Sequence, residues 1–101
     1  MNVVNISAAR RFSLESVQRK ELAAAGELRC ELLCFEAGQI EPQPAVNDAV
    51  YQVLEGEALF RRVGQTERLG KGKLLVAGAG DAMTIENAGG GLLVVLCTAC
   101  G

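Results

Sequence analysis

The four cysteines are the residues whose type and spacing most directly suggest chemistry. They form two closely spaced pairs, Cys30 with Cys34 and Cys97 with Cys100. Together they could supply four thiolates to a structural zinc ion, or one pair could act in redox chemistry. The alternative is that each thiol packs as a small apolar side chain. Cys30 and Cys34 alternate with leucines along a predicted strand, which favours packing for that pair, while the three interpretations stay open for Cys97 and Cys100.

The chain contains no histidine. Imidazole and carboxylate groups are the usual protein ligands of first-row transition metals. A metal centre built on histidine is therefore excluded by composition, and we expect no metal and no cofactor. The sequence also lacks a nucleophile–base pair, a phosphate-binding loop and a paired-carboxylate spacing.

Short strands separated by glycine turns are predicted to position these residues. Glu27 to Phe35 alternates apolar and charged side chains, and we assign the face that carries Cys30 and Cys34 to the core. Residues 39–46 contain two prolines, so a strand there must be short, at an edge or interrupted. Leu92 to Cys97 is predicted as a strand buried on both faces. Many short strands with glycine turns indicate an antiparallel sandwich or barrel.

Length and composition indicate one small domain. The chain has 101 residues, of which 50% are apolar, enough to build a single core. We interpret residues 1–26 as an N-terminal arm with little regular structure and at most one or two helical turns. Residues 27–101 are then the β-barrel.

Charge and hydropathy patterning exclude several classes of partner. The formal net charge is −2, and acidic and basic residues are mixed, so no basic face for nucleic acid is indicated. The apolar run at residues 92–97 is far too short to span a bilayer, and residues 1–9 carry no apolar run typical of a signal peptide. We therefore expect a cytoplasmic protein with mostly reduced thiols and with neither nucleic acid nor membrane as a partner.

Glycine spacing in the second half of the chain carries a family resemblance. The segment from Gly72 to Asn87 resembles the second motif of the cupin superfamily: glycine, five residues, proline, one residue, glycine, two residues, histidine, three residues, asparagine. Gly72, Gly80 and Asn87 stand at the required spacing. Gly78 replaces the proline, and Met83 replaces the metal-binding histidine.

The segment from Gly38 to Gly56 resembles the first cupin motif. Counting back from Gly56 places Ala49 at the position of a metal-binding glutamate, and Ala45 and Gln43 at the positions of two histidines. Gly38 lies one residue closer than the motif requires. The resemblance implies an all-β fold, an antiparallel double-stranded β-helix or jelly-roll barrel, without the usual metal site.

The same resemblance implies which side chains face the barrel interior. Alanines there would leave space beside a few polar groups, as in a small-ligand site. Alternatively, the side chains fill a small barrel and leave no cavity. Asp48 is next to the glutamate position, but a shift of one residue points its side chain to the opposite face. The candidate ligand-binding residues are Glu41, Gln43, Ala45, Ala49, Tyr51 and Met83.

The sequence favours a metal-free, non-catalytic protein that binds a small molecule in the barrel or acts as a homodimer. Cupins resembling this one commonly form homodimers, and an exposed side of Leu33 and Phe35 would be compatible with that. One alternative is a metal enzyme of oxygenase or isomerase type that uses Glu41, Gln43 and a cysteine as ligands. A second is a metal-independent acid–base enzyme. A third is a structural protein in which all four cysteines bind zinc.

Overall fold

A computed structural model describes residues 1–43 and 47–100 of the chain. These residues contain one short 3-10 helix, Ser7–Ala9, and nine β-strands. None of the helices in this part of the chain has the length and apolar character needed to cross a membrane. The strands are β1 (Gln18–Ala25), β2 (Leu28–Phe35), β3 (Ile40–Gln43), β4 (Ala49–Glu55), β5 (Glu57–Arg62), β6 (Gln65–Gly70), β7 (Leu74–Ala77), β8 (Met83–Asn87) and β9 (Leu93–Cys100).

The strands form two antiparallel sheets. The five-stranded sheet has the order β1-β2-β9-β4-β7, and the four-stranded sheet has the order β3-β8-β5-β6. Every strand pairing is antiparallel. The prediction of an all-β antiparallel barrel is therefore confirmed, and β3 lies at the edge of its sheet, one of the positions that its proline content allows.

The main core lies between the two sheets. Leu33, Val95 and Val53 stand directly opposite one another on β2, β9 and β4, and all three are fully buried. Phe35 and Ile85 complete the packing from β2 and β8, again with no exposed surface. Because these side chains come from both sheets, burying them holds the sheets together.

Asn87, at the end of β8, is a buried polar side chain at the end of the barrel formed by Phe35 and the turn at residues 88–91. Its Nδ2 donates to the carbonyl oxygens of Phe35 (3.3 Å) and Gly91 (2.8 Å), and its Oδ1 accepts from the amide of Gly89 at 3.3 Å. The side chain is 2% exposed. A buried polar group with its bonds made stabilises the fold and fixes the course of the turn at residues 88–91.

The N-terminal residues are more regular than predicted. The interpretation of residues 1–26 as an arm with little regular structure is wrong, because Gln18–Ala25 forms the eight-residue strand β1. Its composition, rich in Ala, Glu and Lys, favours helix, but pairing with β2 supplies backbone hydrogen bonds that override this propensity.

The segment before β1 covers the outer face of the five-stranded sheet. Ala9 is buried there against the second cluster of apolar side chains, and Arg10 Nη1 donates to Glu55 Oε1 at 2.8 Å. The buried members of this cluster from the sheet are Leu32, Cys34 and Val94. The first residues of the chain therefore act as a second layer on the sheet.

The assignment of faces on β2 needs a correction. The face that carries Leu33 and Phe35 is the barrel interior, and both residues are 0% exposed. The predicted exposed side of these two residues is therefore wrong and offers no surface for a dimer. Alternation alone did not separate the two faces because both are apolar over residues 32–35, and the face opposite Leu33 and Phe35 lies beneath the N-terminal segment.

Gly56 provides a test of this fold at the turn from β4 to β5. Its φ is +84°, and a Cβ there would overlap the carbonyl oxygen of Leu92 and lie 3.1 Å from Leu93 Cα. Gly56→Ala should therefore reduce the free energy of unfolding by at least about 2 kcal/mol. Chemical denaturation of the variant measures this.

Gly64→Ala is the matched control for the turn. Gly64 has a similar φ of +75°, but a Cβ there would meet nothing within 4 Å. Gly64→Ala should reduce the free energy of unfolding by about 1 kcal/mol, the cost of placing a side chain in the left-handed backbone conformation. Equal losses for the two variants would contradict the close approach of Leu92 to Gly56.

Candidate functional site

Four of the six predicted interior residues are buried between the sheets. Gln43 is 4% exposed, Tyr51 4%, Ala49 8% and Met83 8%. Ala49 and Tyr51 project from β4, while Gln43 and Met83 stand opposite each other on β3 and β8. The fifth, Ala45, lies outside the described residues.

The end of the barrel near these residues is built from small side chains on one sheet. Ala77, Ala49 and Ala99 stand opposite one another on β7, β4 and β9. On the facing sheet the corresponding end carries the larger Gln43 and Met83. This end of the interior therefore sets small side chains on one sheet against larger ones on the other.

A cavity of about 190 Å³ opens on one side of the barrel, where β5, β6 and β8 of one sheet face β7 of the other. Its apolar lining includes Phe60, Leu75 and Met83. Among the described residues, Met83 is the predicted site residue that lines it. Tyr51 lies behind this lining, with its ring centroid 5.8 Å from that of Phe60 and the two planes tilted by 60°.

Charged side chains form the rim of the cavity. Arg62 Nη1 donates to Asp81 Oδ1 at 2.6 Å, and its Nε donates to Gln65 Oε1 at 2.9 Å. Asp81 Oδ2 in turn accepts from the amide of Gly78 at 3.2 Å. The hairpin between β5 and β6 is thus linked to the loop between β7 and β8 across the mouth. Glu67 also lines the cavity.

The predicted residue Glu41 lies at the opposite edge of the barrel. Its Oε2 accepts from Arg19 Nε at 3.3 Å, and Arg19 Nη1 also donates to Glu31 Oε1 at 2.8 Å. Arg19 belongs to β1 and Glu41 to β3, so this ion pair joins the edges of the two sheets. Glu41 is therefore engaged in a structural contact away from the cavity.

Tyr51 and Cys97 form the buried polar pair of the interior. They stand opposite each other on β4 and β9, and Tyr51 Oη donates to Gln43 Oε1 at 3.5 Å. Burial, together with the neighbouring Cys97, raises the pKa of the Tyr51 hydroxyl well above its usual range. Burial also raises the pKa of the Cys97 thiol. Both groups are therefore neutral near pH 7, and Cys97 lacks the thiolate character of a nucleophile or metal ligand.

The cysteines do not come together as a four-thiolate site. Cys97 lies on the inner face of the five-stranded sheet, whereas Cys34 is buried in the outer cluster beneath the N-terminal segment. Cys30 Sγ lies 3.6 Å from Thr98 Oγ1, and Cys100 is exposed. Residues 1–43 and 47–100 contain no group of three or more cysteine, aspartate or glutamate side chains that could hold a metal ion.

Sequence reasoning missed most of the cavity. Phe60, Glu67 and Arg62 reach it because β5 and β6 pair in register, Phe60 opposite Glu67 and Arg62 opposite Gln65. Alternation along β5 could have placed Phe60 inside. Nothing in the sequence shows that Asp81 meets Arg62, because that contact depends on how the loop returns to the hairpin.

The raised pKa of Tyr51 can be tested directly, because Tyr51 is the only tyrosine in the chain. An ordinary tyrosine has a pKa of 10.0, so the native protein should show little phenolate absorbance at about pH 11, where the unfolded chain is mostly ionised. Spectrophotometric titration measures this.

The stability of the protein should follow the same group. The folded state holds the phenolic proton more tightly, so this contribution is complete below pH 10.0 and is lost as the pH rises above it. Tyr51→Phe has no phenolic proton, so its free energy of unfolding should fall less steeply than that of the wild-type protein as the pH rises above 10.0. A phenolate transition in the native protein with its midpoint near 10.0 would contradict the buried position of the hydroxyl.

Comparisons with known proteins identify the fold. No protein-family model and no curated protein matches the sequence. Among solved structures, a protein with a double-stranded β-helix domain from Klebsiella pneumoniae is 16% identical, with a TM-score of 0.89 and coverage of 99% of this chain and 90% of that one. An RmlC-like cupin protein from Desulfovibrio desulfuricans is 22% identical, with a TM-score of 0.84 and coverage of 99% and 96%.

A third similar structure is KdgF from a Halomonas species. It is 19% identical to this chain, with a TM-score of 0.80 and coverage of 100% of this chain and 94% of that one. At these identities the likeness is one of fold. Together with the two antiparallel sheets and the spacing of Gly72, Gly80 and Asn87, it confirms that the chain has the double-stranded β-helix fold of the cupin superfamily.

Proposed function

We propose that the protein is a metal-free, non-catalytic member of the cupin fold that binds a small molecule between its sheets. The observation that carries this proposal is the cavity of about 190 Å³, with apolar Phe60, Leu75 and Met83 inside and charged side chains at its rim. An apolar lining with a few oriented polar groups is typical of ligand sites. Drug-sized pockets measure roughly 300–1,000 Å³, so a smaller ligand fits this one.

The donor set supports a site without a metal. Gln43, Ala49 and Met83 occupy the interior positions where the cupin motifs have ligands, and an alanine side chain offers no donor atom. Glu41, the carboxylate of the metal-enzyme alternative, is paired with Arg19. The neutral Tyr51 and Cys97 are hydrogen-bonding groups rather than an acid–base pair poised near pH 7.

Ligand binding predicts a rise in melting temperature. A ligand at one hundred times its Kd should add about 2.7 kcal/mol to the free energy of unfolding. A thermal-shift screen of small metabolites on the untagged protein measures this. Leu75→Trp should abolish the shift by filling the cavity, while Val63→Trp, at an exposed hairpin position, should leave it unchanged.

Elemental analysis of the same untagged protein is the control for the metal. A stoichiometric metal ion retained after purification would contradict the proposal. If that metal were lost on Glu41→Ala, the metal-enzyme alternative would replace the metal-free proposal. Catalytic turnover of a compound that binds in the cavity would favour the acid–base alternative instead.

We propose in addition that the protein forms a homodimer through β7. This strand is one edge of the five-stranded sheet, and its Leu74 and Val76 are 56% and 71% exposed. An apolar edge strand without charge or proline favours pairing with another chain. A second copy presents the same edge, so the contact can close about a two-fold axis.

Sedimentation equilibrium tests the dimer. The wild-type protein should have twice the mass of one chain, and Leu74→Lys should be monomeric because the apolar contact would bury a charged side chain. Leu74 is not among the described residues that line the cavity, so this change tests the dimer alone. Val63→Lys, in the exposed turn between β5 and β6, should remain dimeric. A monomeric wild-type protein at high concentration would contradict the proposed contact.

A further inference from the structure

The charges around the cavity do not all have partners. Arg62 is neutralised by Asp81 at 2.6 Å, and the neighbouring Arg61 is neutralised by Glu86 at 2.6 Å. Glu67 lines the same cavity, but it forms no ion pair with any residue in the described part of the chain. Arg61, Arg62, Asp81 and Glu67 all line the cavity, and the exposed Glu67 is the one among them without an ion pair in the described part of the chain.

This carboxylate stands beside an aromatic ring. Phe60 and Glu67 are directly opposite each other on β5 and β6, so their side chains leave the same face of the sheet with Cβ atoms about 5 Å apart. Both residues line the cavity, and Phe60 is only 3% exposed. A carboxylate attracts a positive group, and the face of a neighbouring aromatic ring adds to that attraction.

We propose that the ligand of the cavity is a small organic cation, a primary or substituted amine with a short apolar part. Its ammonium group lies by the Glu67 carboxylate and the Phe60 ring, and its apolar part contacts Leu75 and Met83. The thioether of Met83 adapts to apolar groups of irregular shape. This inference rests on the proposed function, since it names the class of molecule that the proposed cavity binds.

The opposite charge fits the cavity less well. A ligand carboxylate would need a free cation, but Asp81 already holds Arg62 at 2.6 Å. It would also lie near the unpaired Glu67. Bringing like charges together costs free energy, so an anionic ligand of equal size should bind more weakly.

Three probes of similar size and different charge test the inference. Isobutylammonium, isobutyrate and isobutanol are titrated at about pH 7 into isotope-labelled protein, and backbone amide NMR shifts are followed. Isobutylammonium should shift the amides of Phe60, Glu67, Leu75 and Met83 in a saturable way. Isobutyrate and isobutanol should bind at least about tenfold more weakly.

Glu67→Gln isolates the charge. Because Glu67 is exposed, the substitution should weaken isobutylammonium binding about two- to fivefold and leave isobutanol binding unchanged. Glu27→Gln is the matched control, because it removes the same charge at an exposed position in the turn between β1 and β2. It should leave all three affinities unchanged, and both variants should keep the wild-type melting temperature.

The outcomes separate this inference from the proposed function. Equal or tighter binding of isobutyrate, or no effect of Glu67→Gln, would overturn the cationic ligand but leave a small-molecule site in the cavity. The cationic ligand is also overturned if isobutylammonium leaves the cavity amides unmoved. The proposed function fails separately, if no compound of any charge raises the melting temperature of the wild-type protein by more than it raises that of the Leu75→Trp variant.

Discussion

The hydrogen bonds of the buried Asn87 side chain hold together the end of the barrel formed by Phe35 and the turn at residues 88–91. The side chain bonds to the Phe35 carbonyl on the other sheet and to both sides of the turn. Gly56 meets Leu92 at the same end, in a conformation that only glycine adopts without strain. Asn87 and Gly56 stand in the two segments whose spacing resembles the cupin motifs, and both contact the other sheet or its loops. Gln43 and Met83 stand where that resemblance would place metal-binding histidines.

The two sheets meet differently along their two pairs of edges. At β1 and β3 the ion pair of Arg19 with Glu41 joins the sheets, whereas at β6 and β7 the cavity opens. One pair of sheet edges is therefore linked by opposite charges, and the other pair borders an opening with charged side chains at its rim.

Much of the fold follows from glycine spacing and strand alternation, while the site follows only in part. Gly72, Gly80 and Asn87 indicated the barrel, and the apolar run at residues 92–97 indicated a central strand. The strand β1 was missed because its composition favours helix and only the free edge of β2 makes it extended. Met83 was placed at the cavity through the motif. Glu67 and Asp81 were not, because cross-strand register and loop geometry bring them there, and neither can be read from a single segment.

The order of strands in the five-stranded sheet also constrains how the protein acquires its structure. The last strand, β9, lies between β2 and β4, and its final residue, Cys100, pairs with Leu28 at the start of β2. Contacts so distant in sequence carry a large entropy of loop closure and slow the folding of β-proteins. Because the chain is synthesised from its N-terminus, β2 and β4 gain this shared neighbour only after residues 93–100 have been made. Until then each has an unpaired strand edge, which is the feature that makes partly folded β-proteins prone to aggregation.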